Sequence, residues 1–141
     1  MLRASLLAAV LMLAPGLALA QQPAPPVTAG AQTNSPIKRT PLQMFDVPGT
    51  NQTAAIMRVD VIPGGQIGRH THPGIESGYL LEGDMVLIVE GQPDRALKAV
   101  ESYQIPIGAI HDGKSGDKGA VVIATFVVEK GKPMAAPATP K

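Results

Sequence analysis

The chain has 141 residues, enough for one ordinary domain and too few for two, with 12 Lys plus Arg set against 11 Asp plus Glu. No basic run or stripe appears, so neither nucleic acid nor an anionic membrane surface is an expected partner. There is no Cys, which excludes a disulfide framework, a thiolate metal site and a lipid-anchored cysteine.

Met1-Leu2-Arg3 is a short positive start, followed by an apolar run from Ala4 to Ala14. Pro15-Gly16 breaks that run, and Ala18-Leu19-Ala20 fits the small-x-small cleavage pattern. Residues 1–20 are therefore expected to be a signal peptide cut after Ala20, placing the mature protein in the periplasm or outside the cell. The apolar run is short for a membrane span, so no membrane association is expected after cleavage. Residues 21–36 are rich in Pro, Ala and Gln and read as a disordered tether. The tail from Lys130 to Lys141 has a similar composition and reads the same way. The folded unit is expected over residues 37–129.

Within that unit the period is two. Ala55, Met57, Val59 and Val61 alternate with Ile56, Arg58, Asp60 and Ile62, which predicts a strand with one apolar face, ended by Pro63-Gly64-Gly65. Tyr79-Leu80-Leu81 and Met85 to Val89 are two apolar runs, and the intervening Glu82-Gly83-Asp84 predicts a hairpin. Gly91 to Asp94 signals a turn, and Ala96 to Val100 and Ser102 to Ile105 read as short strands. Gly113 to Gly119, with three Gly among charged residues, reads as a loop. Ala120 to Val128 reads as a strand buried on both faces. Many short strands without a helical period predict an all-β sandwich or barrel.

Histidine occurs three times, and two of the three are His70 and His72. On a strand that spacing puts both imidazoles on one face. Glu76 follows after the bend at Pro73-Gly74, which lets a carboxylate return to that face. His111 lies 39 residues beyond His72, after Pro106-Ile107-Gly108. Three imidazoles and one carboxylate are borderline donors suited to one divalent Mn, Fe, Co, Ni, Cu or Zn. A lone histidine is more often a surface or core residue, but here every histidine of the chain joins one spaced pattern. Strand parity from Glu76 puts Gly78 and Leu80 on the ligand face and Tyr79 on the opposite one. Arg69 points away from His70 and reads as a salt-bridged surface residue. Arg58 and Asp60 read as outward or partner-facing, and Lys114 and Ser115 are weaker candidates for the site's mouth.

The series Gly64, five residues, His70-Thr71-His72, three residues, Glu76, six residues, Gly83 resembles the first motif of the cupin superfamily. Pro106-Ile107-Gly108, two residues, His111 resembles the centre of the second. Val100 stands where the family has Gly, and Ser115 where it has Asn. The resemblance runs from about Ala54 to Val128. It implies a single-domain double-stranded β-helix, or jelly-roll barrel, with His70, His72, Glu76 and His111 as metal ligands. Pairing of two copies through a sheet face is a further implication.

Cupins include dioxygenases, decarboxylases, isomerases and non-catalytic binders, so fold alone does not fix the reaction. The expected function is that of a metal-dependent, dioxygenase-like oxidoreductase acting on a small oxygen-bearing molecule. The alternative is a non-catalytic module that binds or stores a metal or small ligand. No general base stands out beyond the ligands, and the scarcity of aromatics argues against sugar stacking.

Overall fold

A computed structural model describes residues 35–138. The expected signal peptide and the expected tether up to residue 34 lie outside the described residues.

Eight strands follow in chain order: β1 (Ile37–Asp46), β2 (Gln52–Val61), β3 (His70–Thr71), β4 (Gly74–Val89), β5 (Arg95–Lys98), β6 (Ser102–Ile105), β7 (His111–Glu129) and β8 (Ala136–Pro137). All pairings are antiparallel and no helix occurs among the described residues. β7 is the spine: it pairs with β2, β3 and β4, while β1 extends the sheet beyond β2 and β5 and β6 pair with β4. The sheet curls into the all-β jelly roll that the residue pattern implied.

Alternation drives this closure. Met57, Val59 and Val61 of β2 point inward with Val122, Ala124, Phe126 and Val128 of β7, and Leu80, Met85 and Leu87 of β4 meet them. The outward residues of β7 are half-buried, so this strand is not equally buried on both faces.

Two sequence expectations are corrected. Glu82-Gly83-Asp84 does not close a hairpin. β4 runs unbroken for 16 residues, with register slips against β7 between Leu80 and Glu82 and between Gly83 and Met85. The two apolar runs have opposite phase, Leu80 inward on even numbers and Met85, Leu87 and Val89 on odd ones. A bulge is what changes phase without reversing the chain. Gly113 to Gly119 is likewise strand, not loop: Leu87 pairs with Gly113 and Met85 with Ser115. The glycines there serve close approach. A Cβ on Gly113 would lie 2.6 Å from Met85 Cε, and one on Gly116 would lie 1.9 Å from Asp84 Oδ2.

The tail is corrected too. Ala136–Pro137 pairs with His70–Thr71 as β8, so the described part of the tail returns to the barrel. β1 carries no alternation that a sequence reading could use, because most of its side chains are exposed and Pro41 interrupts it.

Candidate metal centre

His70 on β3 stands directly opposite His111 at the start of β7. His72 follows β3, and Glu76 points inward from β4, which pairs with β7 on another edge. The topology thus gathers four residues that are spread over 42 positions of the chain. One donor atom from each of His70, His72, Glu76 and His111 lies within 4.8 Å of all the others. Glu76 Oε2 is 3.0 Å from His72 Nε2 and 3.1 Å from His111 Nε2. His72, Glu76 and His111 are buried, and His70 is half-buried at the mouth.

Each ring is oriented from behind by a main-chain carbonyl. His70 Nδ1 is 2.8 Å from Gly68 O, His72 Nδ1 is 2.6 Å from Met134 O, and His111 Nδ1 is 3.0 Å from Ala109 O. A carbonyl only accepts, so all three Nδ1 atoms carry a proton and all three Nε2 atoms face the centre, where His111 Nε2 meets Glu76 Oε2 and each Nε2 can give its lone pair to an ion. His72 Nε2 is buried and has no hydrogen-bond partner, despite its short distance to Glu76. A buried unpaired polar atom is costly. A cation among the Nε2 atoms and the carboxylate removes that cost. Bonds near 2.1 Å put ligand atoms about 3 to 4 Å apart, so the cluster needs only a slight contraction. The four residues fit a divalent transition metal.

Burial pushes the Glu76 carboxyl up, but contacts from His111, His72 and Tyr103 outweigh it and hold the group at about 2. It is therefore a carboxylate at neutral pH. Burial pushes His70 below the usual histidine range. Burial also pushes His111 down, but its contact with Glu76 prevails and leaves it raised.

Sequence reasoning missed two participants. The Tyr103 hydroxyl donates to Glu76 Oε1 at 2.8 Å, leaving Oε2 toward the histidines. Burial and the neighbouring carboxylate push this phenol well above its usual range, so it keeps its proton and acts as a donor. The signal was Gly78: it pairs with Tyr103 across β4 and β6, and a Cβ there would lie 2.1 Å from the ring. The other is Met134, whose carbonyl lies in the segment read as a tail.

Tyr79 is exposed as parity required, and Arg69 pairs with Glu90 at 2.9 Å. Arg58 pairs with Asp60 at 2.7 Å. Lys114 and Ser115 do not line the mouth. Ser115 is buried, and its hydroxyl donates to Ile62 O at 2.6 Å, fastening the turn before β3 to β7.

The centre lies in a cavity of about 110 Å³, whose other walls include Arg39, Met57, Val59, Ile67, Leu87, Phe126 and Met134. Since a cavity of roughly 150 Å³ holds one benzene, this space takes only about four to six heavy atoms.

The sequence matches the Cupin domain family over residues 57–131, more than half of the chain. The protein is a cupin. Among solved structures, this cupin is similar to a recombinant oxalate oxidase in complex with glycolate, at 26% identity and a TM-score of 0.60. That match covers 74% of this chain and 56% of the other, so the cupin spans little more than half of the oxidase's length. DMSP lyase DddQ from Ruegeria pomeroyi shares the fold at 20% identity and a TM-score of 0.64, covering 81% of this chain and 57% of that one. A double-stranded β-helix protein from Klebsiella pneumoniae does so at 18% identity and a TM-score of 0.60, covering 78% and 90%. No curated protein sequence matches significantly.

Proposed function

We propose that this cupin is an exported, metal-dependent oxidoreductase, dioxygenase-like in its use of a metal to handle a small oxygen-bearing molecule. The observation that carries the reading is the convergence of three Nε2 lone pairs and one carboxylate oxygen on the wall of a small, largely apolar cavity. His70, His72, Glu76 and His111 would hold the ion. When bound, a divalent transition ion supplies Lewis acidity and, for a redox-active metal, electron transfer. The chain's own residues do the rest. Tyr103 fixes one oxygen of Glu76, the three carbonyls fix the imidazoles, and Ile67, Leu87, Phe126 and Met134 give the cavity apolar walls around the centre. The likeness to an oxalate oxidase supports an oxidative reaction on a small molecule.

Export rests on Arg3, the apolar run and Ala18-Leu19-Ala20. The test is elemental analysis of protein recovered from the periplasm, with its intact mass, followed by oxygen uptake with a panel of small hydroxy and oxo compounds. A chain beginning at Gln21, with one ion and substrate-dependent uptake, supports the whole reading. Stoichiometric metal without turnover of any substrate favours the rival, a binding or storage module.

Pairing of two copies is supported by one row across the outer sheet face, where Phe45, Ala54, Val127 and Ile75 stand side by side in register. Phe45 and Ile75 are exposed. Light scattering that gives a monomer mass at tens of micromolar would remove this part of the proposal.

A further inference from the structure

Arg39 occupies an unusual place. It pairs with Val59 across β1 and β2, which puts it on the inward side of the sheet. It lines the same cavity as the four candidate ligands and is the one Lys or Arg among the lining residues. Four other cations are paired, Arg58 with Asp60, Arg69 with Glu90, Lys130 with Asp46 and Lys132 with Glu129. Among the described residues the unpaired Lys38, Lys98, Lys114 and Lys118 lie away from the cavity lining. Arg39 makes no ion pair or side-chain hydrogen bond with any described residue.

The charge of the cavity makes this informative. The ionisable neighbours are Glu76 at the centre and Asp112, with the histidines neutral as ligands. Asp112 already accepts from Gln66 Nε2 at 2.6 Å, Gly68 N at 2.9 Å and Gly113 N at 2.7 Å, so its oxygens are committed. A divalent ion against these two carboxylates leaves the cavity neutral. Arg39, exposed at the cavity's edge, leaves it with one positive charge over on the side from which an anion would enter.

We propose that Arg39 is a specificity-determining residue that anchors the carboxylate of a small monoanionic acid. This deepens the metal-centred reading above and rests on it. The guanidinium offers a planar fork that matches a carboxylate through two parallel N–H donors. The cavity's size limits such an acid to about two or three carbons. A second oxygen on the adjacent carbon would face the candidate ligands, so the class is a short 2-hydroxy or 2-oxo acid. Arg39 belongs to β1, outside the segment matched to the family, so the anchor is a feature of this chain's own sheet extension.

The test uses the full mature chain, loaded with Mn(II), and calorimetric titration with glycolate and with glycolamide. The amide has the same heavy-atom framework without the charge. Wild type should bind glycolate at least tenfold tighter than glycolamide. Arg39→Gln should lose ten- to a hundredfold in glycolate affinity and leave glycolamide affinity and metal content unchanged. Arg39→Lys should restore part of the preference, which a merely structural role would not do. Equal binding of the two probes by wild type, no binding of either, or unchanged glycolate binding in Arg39→Gln would overturn the proposal. Metal content is measured on the same samples. Retained metal without charge preference defeats the Arg39 inference alone, and a wild-type chain that takes up no metal defeats the metal reading with it.

Discussion

The Tyr103 hydroxyl and Glu76 Oε1 are 2.8 Å apart, joined from neighbouring strands through the space that Gly78 leaves open. The glycine, the ring and the carboxylate form one device, since the ring packs where a Cβ would otherwise sit. Tyr103→Phe should keep the ring and lose the bond, costing about 1 kcal/mol of stability. Metal affinity should fall about tenfold or more, as for other groups that orient a ligand. Gly78→Ala should weaken metal at least as much, because the ring itself must move. Metal titration of both variants beside wild type checks this, and unchanged affinity in both would detach Tyr103 from the site.

Removing the ligands should separate metal binding from folding. His72→Ala and His111→Ala should lose most bound metal while the β-sheet circular dichroism is kept. Glu76→Gln should keep shape and an acceptor oxygen but bind metal more weakly. An ion that binds only the folded chain adds about 2.7 kcal/mol at a free concentration 100 times Kd, so chelation should lower Tm and re-addition should restore it. Wild-type metal content and chelator response in Glu76→Gln and His111→Ala together would dismiss the four-ligand site.

The pH profile has a definite sign. Glu76 sits at about 2 in the folded chain against an ordinary 4.5, so its contribution is complete above about 4.5 and is lost as pH falls toward 2. His70 is lowered, so its neutral ring contributes above the ordinary 6.5, and that contribution is lost as pH falls through the folded value. His111 is raised, so its contribution is complete below 6.5 and lost as pH rises through the folded value. The two histidines oppose each other in the metal-free chain. In the loaded chain, protons compete with the ion for every imidazole. The loaded protein should therefore lose Tm between pH 7 and 5, the chelated protein should change less there, and both should fall below about 4.5. Melting curves with and without chelator across this range decide it.

Val100 adopts φ of +71° and is 73% exposed, so a β-branched residue holds a left-handed conformation with little packing in return. The left-handed conformation costs an L-residue about 1 to 2 kcal/mol, and glycine's extra freedom in the unfolded chain takes back about 0.5 to 1. Val100→Gly should thus stabilise by about 0.5 to 1 kcal/mol, raising Tm by a few degrees. A lowered Tm would mean that the Val100 side chain stabilises the turn in some other way.

Truncation after Pro133 removes both β8 and the carbonyl behind His72. The barrel should stay folded, since its core depends mainly on β2, β4 and β7. Metal affinity should drop about 10- to 100-fold. Equal metal affinity in the truncated and full chains would show that the carbonyl contributes nothing.

The candidate ligands were legible because His70, His72 and Glu76 lie close in sequence and no other histidine competes with His111. The strand at Ala55 to Val61 was legible because its alternation holds for a full strand length. Gly113 to Gly119 was misread because glycine signals a loop by backbone freedom, whereas here it marks a strand crowded by Met85 and Asp84. The continuity of β4 was hidden because a bulge and a hairpin both interrupt an apolar run with Gly and acids. Tyr103 and Met134 were invisible as site residues for another reason. Each acts through a partner 27 or 62 residues away, a relation that only the closed sheet creates.

The β8 contact also bears on how quickly a bound ion would trade places with free metal. β8 has two residues, both exposed, and its ladder to β3 consists of two residue pairs. Such a segment opens far more often than the barrel unfolds. Each opening withdraws the Met134 carbonyl and lets the His72 ring turn its Nε2 away. With an ion bound, the rate of metal exchange would then be set by fraying at this edge and not by the stability of the core. Core substitutions that raise Tm would leave exchange nearly as fast, while fastening β8 to β3 would slow it without moving Tm much.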